Sequence, residues 1–480
     1  MDESKQSRPG DISAARRENE IMRSYLFTLV MSCALVASGQ KPPISPGVVH
    51  GSVPVVADPT NSYALYLPAN YSPEKRWPLV LVFDPFARGE VSVKLFHEAA
   101  ERYGFIVVGS NNSRNFADPS NAIRLLWTEV KEHYAIDPKR IYTAGLSGGA
   151  RVASSIALAC KNCITGVIAN GAGLPQGATL PGPEVSEWFL VAGTTDFNYP
   201  EQLHLKESLD THGAVSRFVV YDGPHNWMPP EFAEKALAWL QLRAMAKGLL
   251  TVDKEFVVRQ FEIRLTEAQS AQKSGDILVA ARAYREIGSD FRSFRDVKEQ
   301  EVLAKSLTES EEFRKARKNE KAALDLQDEI ATKVGNLVAG INQEPDNRTT
   351  YFSQLQSAVM DAKRREGGDS ARKQAIARGL ASGFSFAAET GQKAMLKKDY
   401  LPAKDMFQAC EIILPESAWA SYLLATTHAQ LGDKKQAIQA LKNALEKGMT
   451  NTKALDDSAF DRIREDEAFK ELASKLSSPR

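Results

Sequence analysis

The sequence predicts an α/β domain with a doubly wound, mostly parallel sheet, followed by an all-α domain of helical repeats. From Ser62 to Met245, short apolar runs alternate with helical patterns of about 10 to 15 residues. The runs are continuously apolar, as expected of parallel strands that are covered on both faces. After about Leu249 these runs stop, and long amphipathic segments rich in Ala, Lys, Glu, Gln and Leu continue to the C-terminus.

Composition excludes several classes of protein. A chain of 480 residues with 43% hydrophobic residues can form two or three domains with proper cores. Its 60 Lys and Arg balance 60 Asp and Glu, so no basic field would attract nucleic acid, and we expect no nucleic-acid partner. Four cysteines are too few for a disulfide-stapled scaffold. No zinc-ligand spacing, phosphate loop or dinucleotide fingerprint occurs, so we expect neither a metal nor a cofactor.

Residues 1–39 are predicted to be a signal peptide with extra residues at its start. Arg23 precedes an apolar run from Tyr25 to Ala37, and these 13 residues are too few for a membrane crossing of about 20. Translation from Met22 fits the same interpretation, whereas a buried N-terminal helix is the alternative. We therefore expect a periplasmic or secreted protein without an integral membrane span. A faint lipobox ends at Cys33, but apolar residues continue past it, which argues against lipid anchoring.

Residues 40–248 are predicted to form the α/β domain. The segment from Lys41 to about Ala57 is rich in Pro, Gly and Val and reads as a linker that runs into a first edge strand. The strands that follow are predicted at YALYLP, PLVLVF, FIVVGS, RIYTAG, ITGVIAN, WFLVAG and RFVVY.

Residues 249–480 repeat with a fixed period. Lys398-Asp399 and Gly432-Asp433 lie 34 residues apart, and small and large residues around them recur at the same offset. An earlier copy surrounds Gly275-Asp276. This is the period of the tetratricopeptide repeat, so we expect such helix pairs. Cys410 occupies a small-residue position and is predicted to pack rather than to react.

The pentapeptide Gly145-Leu146-Ser147-Gly148-Gly149 lies between a predicted strand and a helix rich in small residues. G-x-S-x-G in this context is a nucleophile elbow, in which the serine occupies a strained turn. Glycine is needed two residues before and after, because a Cβ there would strike the neighbouring strand or helix. Ser147 is therefore the predicted nucleophile.

A serine nucleophile needs a base, and the base needs a carboxylate, here in the chain order Ser, acid, His. Asp196 follows the strand EWFLVAG, and His225 follows RFVVYDG. Both leave the same edge of the sheet as Ser147. Asp222 is the alternative acid, although it is too near His225 in sequence to reach its Nδ1 easily.

Two N–H groups should stabilise the oxyanion. One is predicted to be Gly148, directly after the nucleophile, and the other Phe86, because Pro85 in the same loop has no N–H. The alternative is that Asp84 and Arg88 stabilise this loop by a salt bridge.

The segment from about Val48 to Met245 resembles the α/β-hydrolase superfamily, in the branch of polyhydroxybutyrate depolymerases, feruloyl and acetylxylan esterases and dienelactone hydrolases. The matching motifs are GLSGG, AGTTDFNY and PHNWMPPE, and they cover about two fifths of the chain. The resemblance implies hydrolysis of a carboxylic ester through an acyl-enzyme, with Ser147, Asp196 and His225 as the triad. No cap insertion is evident, so a fairly open pocket is expected.

Two other functions remain open at this point. The same triad can cleave peptides, and a catalytically idle scaffold could serve a helical domain that binds a partner protein, as tetratricopeptide proteins usually do. The complete triad argues against the scaffold. The change of periodicity predicts that the two parts fold independently, so that the hydrolase part alone would hydrolyse small esters.

Cys160 and Cys163 form a C-x-x-C pattern between the elbow helix and the next strand. A structural disulfide, free buried thiols and a redox centre are the three interpretations that this pattern leaves open.

Overall fold

The computed structural model describes residues 44–160, 162–180, 186–450 and 452–477. The predicted signal peptide at 1–39, with Cys33, lies outside these residues. Within them, no helix is both long enough and apolar enough to cross a membrane.

The first part of the chain is built on an eight-stranded sheet with the order β1-β2-β4-β3-β5-β6-β7-β8. The β1–β2 and β2–β4 pairs are antiparallel, and every pair from β4–β3 to β7–β8 is parallel. The predicted doubly wound, mostly parallel sheet is therefore confirmed. The strands are β1 Val49–Val55, β2 Asp58–Tyr66, β3 Trp77–Phe83, β4 Ile106–Ser110, β5 Ile136–Leu146, β6 Gly166–Asn170, β7 Glu187–Gly193 and β8 Ser216–Tyr221.

Helices cover both faces of the sheet, which explains why its central strands are continuously apolar. Every residue of β3 and β7 is buried. One hydrophobic cluster contains Val130 and Leu205, and the opposite cluster contains Phe96 and Leu237. The helices of this part are α1 Gly89–Tyr103, α2 Ser120–His133, α3 Gly148–Ala159, α4 Tyr199–Thr211 and α5 Pro230–Ala246.

The rest of the described chain is helical, as predicted. Its helices are α6 Lys254–Lys273, α7 Ile277–Phe291, α8 Lys298–Glu309, α9 Glu311–Gln343, α10 Arg348–Arg364, α11 Ser370–Leu396, α12 Tyr400–Ile413, α13 Ala418–Leu431, α14 Lys434–Glu446 and α15 Glu467–Ser477. Short 3₁₀ helices occur at Pro345–Asn347, Thr452–Asp456 and Ser458–Phe460. The architecture is that of a mostly parallel α/β domain followed by a helical domain.

Each of the three predicted repeat turns contains one residue with a positive φ. Gly275, Lys398 and Gly432 adopt φ values of 84°, 63° and 84°, and an aspartate follows each of them at the start of the next helix. The sequence offset therefore relates equivalent turns of helix pairs, while the tetratricopeptide assignment stays a prediction. Cys410 is fully buried, and burial raises the pKa of its thiol well above the ordinary value.

Lys398 is the residue of these three turns that is not glycine, and left-handed backbone costs an L-residue about 1–2 kcal/mol. We expect Lys398→Gly to raise the free energy of unfolding by roughly 0.5–1 kcal/mol, since glycine's extra freedom in the unfolded chain offsets part of the gain. Denaturant titration measures this. Lys397→Gly is the control, because Lys397 is right-handed at φ −83° and its replacement should destabilise. Equal effects of the two changes would contradict the strain argument.

The helical domain packs continuously onto the α/β domain. One hydrophobic cluster joins Leu242 and Met245 of α5 to Phe256, Phe261 and Phe291 of the helices that follow. The expectation that the two parts fold independently at residue 248 is not supported by this packing, because a single core crosses that boundary.

The edge strand β8 is also covered by the helical domain. The Phe218 N–H, which faces outward from the sheet edge, donates to Glu286 Oε1 of α7 at 3.0 Å. Around this contact lies a buried ion network in which Arg264 pairs with Asp290 and with Glu286. Burial, together with the neighbouring Arg264, lowers the pKa of Arg217 to about 10. Covering an edge strand removes a site for unwanted strand pairing.

Cys160 and Cys163 are joined by a disulfide at the end of α3, with their Cα atoms 5.4 Å apart. The structure therefore agrees with the first of the three interpretations of this C-x-x-C pattern, a disulfide.

Candidate active site

Ser147 lies on a sharp turn between β5 and α3 with φ 54° and ψ −122°. This left-handed conformation is strained for a residue with a side chain. A Cβ on Gly145 would overlap the Gly149 backbone, and one on Gly149 would overlap the Phe83 carbonyl oxygen. The two glycines therefore serve the close packing that the sequence pattern predicts.

Asp196 and His225 are brought together at the same edge of the sheet. His225 Nδ1 and Asp196 Oδ1 are 2.8 Å apart, and Asp196 is fully buried. The Asn198 N–H donates to the same carboxylate oxygen at 2.8 Å. The ring of Phe197 lies against the imidazole, with ring centroids 4.2 Å apart. The carboxylate is thus placed to hold one tautomer and one orientation of the imidazole.

Ser147 is connected to this pair through the end of β6. Its N–H donates to the Asn170 carbonyl at 2.9 Å, and a Cβ on the following residue, Gly171, would lie 2.9–3.0 Å from Asp196 Oδ2 and the His225 ring. Within the described residues no hydrogen bond joins Ser147 Oγ to His225. Such bonds are often long before substrate binds.

Asp222, the alternative acid, has a different partner. It is exposed and accepts a hydrogen bond from Thr194 Oγ1 at 2.9 Å. The geometry therefore places Asp196, and not Asp222, on His225.

The loop that carries His225 is held by two buried side chains. The Tyr221 hydroxyl donates to the carbonyl oxygens of Pro224 and Asn226 at 2.7 and 2.9 Å. Asn170 donates to the Asn226 carbonyl at 3.2 Å. Burial raises the pKa of Tyr221 to about 12, so its hydroxyl remains a donor across the physiological pH range.

One predicted oxyanion donor needs correction. Gly148 begins α3, where N–H groups have no intrahelical partner. The Phe86 N–H, in contrast, already donates to Asp84 Oδ1 at 2.8 Å. This bond forms because the buried Asp84 carboxylate turns back onto its own loop. The expected Asp84–Arg88 salt bridge is present at 2.9 Å.

The Asn115 carboxamide lies directly beside Gly148. A Cβ on Gly148 would overlap Asn115 Oδ1 and would lie 3.2 Å from Nδ2. Among the described residues, none forms a hydrogen bond with this side chain. Asn115 is therefore a polar side chain beside the elbow that has no hydrogen-bond partner among the described residues.

The helical domain forms part of the rim of the site. Phe86 packs edge-on against Trp419 of α13, with ring centroids 6.4 Å apart. The Lys393 ammonium of α11 lies 5.1 Å from the centre of the Phe116 ring. Phe86, Phe116 and Trp419 all remain exposed at this rim, so the expectation of a fairly open pocket stays a prediction.

Several residues of the site carry no motif of their own. Asn170 and Asn115 follow or lie near strand ends, and polar residues at the carboxyl ends of parallel strands were the one signal that could have found them. Trp227 belongs to the His225 motif, but nothing in the sequence predicts that its Nε1–H donates to Asp84 Oδ2 at 2.8 Å. Among the described residues, no group of His, Cys, Asp and Glu could hold a metal ion.

No family model matches the chain, and no curated protein matches its sequence. Solved structures do show a likeness at low identity. An S-formylglutathione hydrolase from Staphylococcus aureus is 13% identical, with 42% of this chain and 97% of that chain covered and a TM-score of 0.32. An S-formylglutathione hydrolase from Agrobacterium tumefaciens is 15% identical (43% and 98% covered, TM-score 0.33). An esterase from Pyrobaculum calidifontis is 16% identical (49% and 94% covered, TM-score 0.34). At these values the likeness carries no inference about activity.

Proposed function

We propose that this chain is a serine hydrolase that cleaves carboxylic esters through an acyl-enzyme, with Ser147, His225 and Asp196 as its triad. The observation that carries the proposal is the strained Ser147 on a strand–helix turn, at the same edge of the sheet as a histidine that is hydrogen-bonded to a buried carboxylate. Strain of this kind persists where the surrounding structure enforces it, and it is concentrated at functional sites.

The proposed reaction follows from the His225–Asp196 hydrogen bond. With the proton on Nδ1 directed at Asp196, Nε2 is the free base. Ser147 Oγ attacks the ester carbonyl while Nε2 takes its proton, and the carbonyl oxygen becomes an oxyanion. When the intermediate collapses, the C–O bond to the alcohol breaks and the imidazolium protonates the leaving alkoxide. Water then attacks the acyl-enzyme by the same route and releases the acid and Ser147.

The oxyanion requires two donors, and we propose the Gly148 N–H and the Asn115 side-chain amide. Rotation about the last side-chain bond of Asn115 exchanges its oxygen and nitrogen ends, so Nδ2 can face the position above Gly148. Phe86 is left out because its N–H is engaged with Asp84.

Asn115→Ala is expected to lower kcat about 10²-fold, the usual effect of removing one oxyanion donor. KM should change little, because the donor acts mainly on the transition state. Steady-state kinetics on p-nitrophenyl acetate measure both constants. Asn121→Ala is the matched control, since the Asn121 carboxamide accepts a hydrogen bond from Arg124 on the exposed side of α2 and does not line the pocket at the elbow. A kcat within twofold of wild type would show that another group supplies the second donor.

A fluorophosphonate probe tests the proposed function directly, because it reacts only with an activated serine. The wild-type chain should be labelled, and peptide mapping should place the adduct on Ser147. A panel of p-nitrophenyl esters and short peptides then separates esterase from peptidase activity. Absence of labelling in a folded protein would favour the idle-scaffold alternative.

An extracytoplasmic location and the binding of a partner protein by the helical domain remain further proposals. The first rests on the leader pattern at 1–39 and the second on the repeat pattern at 249–480. Cell fractionation with a C-terminal tag would test the location.

A further inference from the structure

The loop that carries Asp196 is held from outside by the helical domain. This acid loop, residues 194–198, connects β7 to α4. Arg378 Nη1 of α11 donates to the Thr194 carbonyl at 2.9 Å, and Gln327 Nε2 of α9 donates to the Phe197 carbonyl at 3.0 Å. The two contacts therefore lie on either side of Asp196 in the chain.

Arg378 and Gln327 form one buried unit. Arg378 Nε donates to Gln327 Oε1 at 2.6 Å, and the guanidinium carbon lies 4.7 Å from the centre of the Tyr199 ring. The two residues are only 4% and 5% exposed. Burying a guanidinium is costly unless it is hydrogen-bonded, so the Thr194 carbonyl and the Gln327 amide are required partners of this charge.

Arg378 also interacts electrostatically with Asp196. Burial lowers the pKa of Arg378, while Tyr199, Glu320 and Asp196 raise it. Asp196 Oδ2 is buried without a hydrogen-bond partner in the structure.

Two groups of the acid loop contact the proposed base. Asp196 bonds His225 Nδ1, and the Phe197 ring packs against the imidazole. A shift of this loop would displace both contacts together. Catalytic geometry is sensitive to such shifts, since a misplacement of about 1 Å can cost about 10²-fold in rate.

We propose that Arg378 and Gln327 are positioning residues for the Asp196–His225 pair, so that the helical domain completes the active centre instead of serving only as a docking module. The inference rests on the proposed hydrolase function for its kinetic consequence, but the contacts that it invokes can be tested without turnover.

The kinetic test uses the full chain with Arg378→Met and Gln327→Glu. Gln327→Glu keeps the acceptor for Arg378 but removes the donor to the Phe197 carbonyl. Each change is expected to lower kcat between about 10- and 100-fold with KM within about twofold, because no group in contact with substrate is changed. Arg378→Lys should recover part of the loss, since an ammonium can still reach one of the two oxygen acceptors.

Arg365→Met is the matched control. Arg365 also bonds a residue of α9, Glu329, but it is exposed and does not contact the acid loop. This variant should keep wild-type kcat. If Arg378→Met and Gln327→Glu also keep at least half of wild-type kcat in an active enzyme, the positioning role is wrong.

A second readout separates positioning from stability. The His225 proton that bonds Asp196 should resonate far downfield in proton NMR, and Asp196→Asn should remove this signal. We expect the signal to shift or disappear in Arg378→Met at temperatures where circular dichroism shows it folded. An unchanged signal would overturn the proposal. NMR needs no substrate, so this test of the positioning role applies even to an inactive protein. If the wild type neither hydrolyses esters nor reacts with the probe, only the proposed function fails.

Discussion

Ser147→Ala is expected to abolish ester turnover, with a loss of at least about 10⁴-fold in kcat, because no other group replaces the attacking oxygen. The fold should be retained. Alanine and serine have the same backbone cost at φ 54°, and the Ser147 side chain is only partly buried. The free energy of unfolding should therefore change by less than about 1 kcal/mol. Esterase assays and denaturant titration of the purified variant measure the two effects.

Ser155→Ala is the control for this experiment. Ser155 lies on α3, the helix that follows Ser147. Its side chain is exposed, and its hydroxyl donates to the Arg151 carbonyl at 2.7 Å. It should keep wild-type activity and labelling by the probe. Turnover by Ser147→Ala at more than a few per cent of the wild-type rate would assign the nucleophile to another residue.

A chain that ends at residue 248 is expected to be poorly soluble and inactive. The cut would leave the Trp239 Nε1–H without the Asp290 carboxylate that it bonds at 3.0 Å. It would also expose Leu242 and Met245 and uncover the Phe218 N–H at the sheet edge. The buried Arg217 would also lose Glu267, its ion-pair partner at 2.9 Å. Losing one partner of a buried ion pair costs about 3–5 kcal/mol, which is a large share of the about 5–15 kcal/mol that keeps a domain folded.

Co-expression of residues 40–248 with residues 249–480 tests whether the missing interface explains the defect of the fragment. If the interface is what the fragment lacks, the two pieces should associate, and the probe should label the first piece in the complex. Solubility, circular dichroism and labelling of the fragment alone are compared with those of the complex. A monomeric, folded fragment that is labelled at the wild-type rate would restore the idea of two independent domains.

The strands were predictable because each is a short apolar run bounded by turn residues. Such continuous runs are typical of parallel strands that are covered on both faces. Ser147, Asp196 and His225 could be selected because each follows a strand at the same edge. The prediction of Phe86 as the second oxyanion donor failed for a local reason. The Phe86 N–H is engaged by Asp84, two residues earlier, and a side chain that folds back on its own loop leaves no periodic signal.

The sequence by itself determined the order of the elements, the strained turn at Ser147 and the pairing candidates for His225, since all of these depend on local patterns and on the rule that parallel strands end together. Only the tertiary structure decided which residues complete the site. Arg378 lies 184 residues from Thr194, the residue whose carbonyl it bonds. Trp419 reaches Phe86 from α13. Contacts at such separations are decided by how two cores pack against each other, and hydrophobic patterning specifies that a face is buried but not which distant side chain meets it.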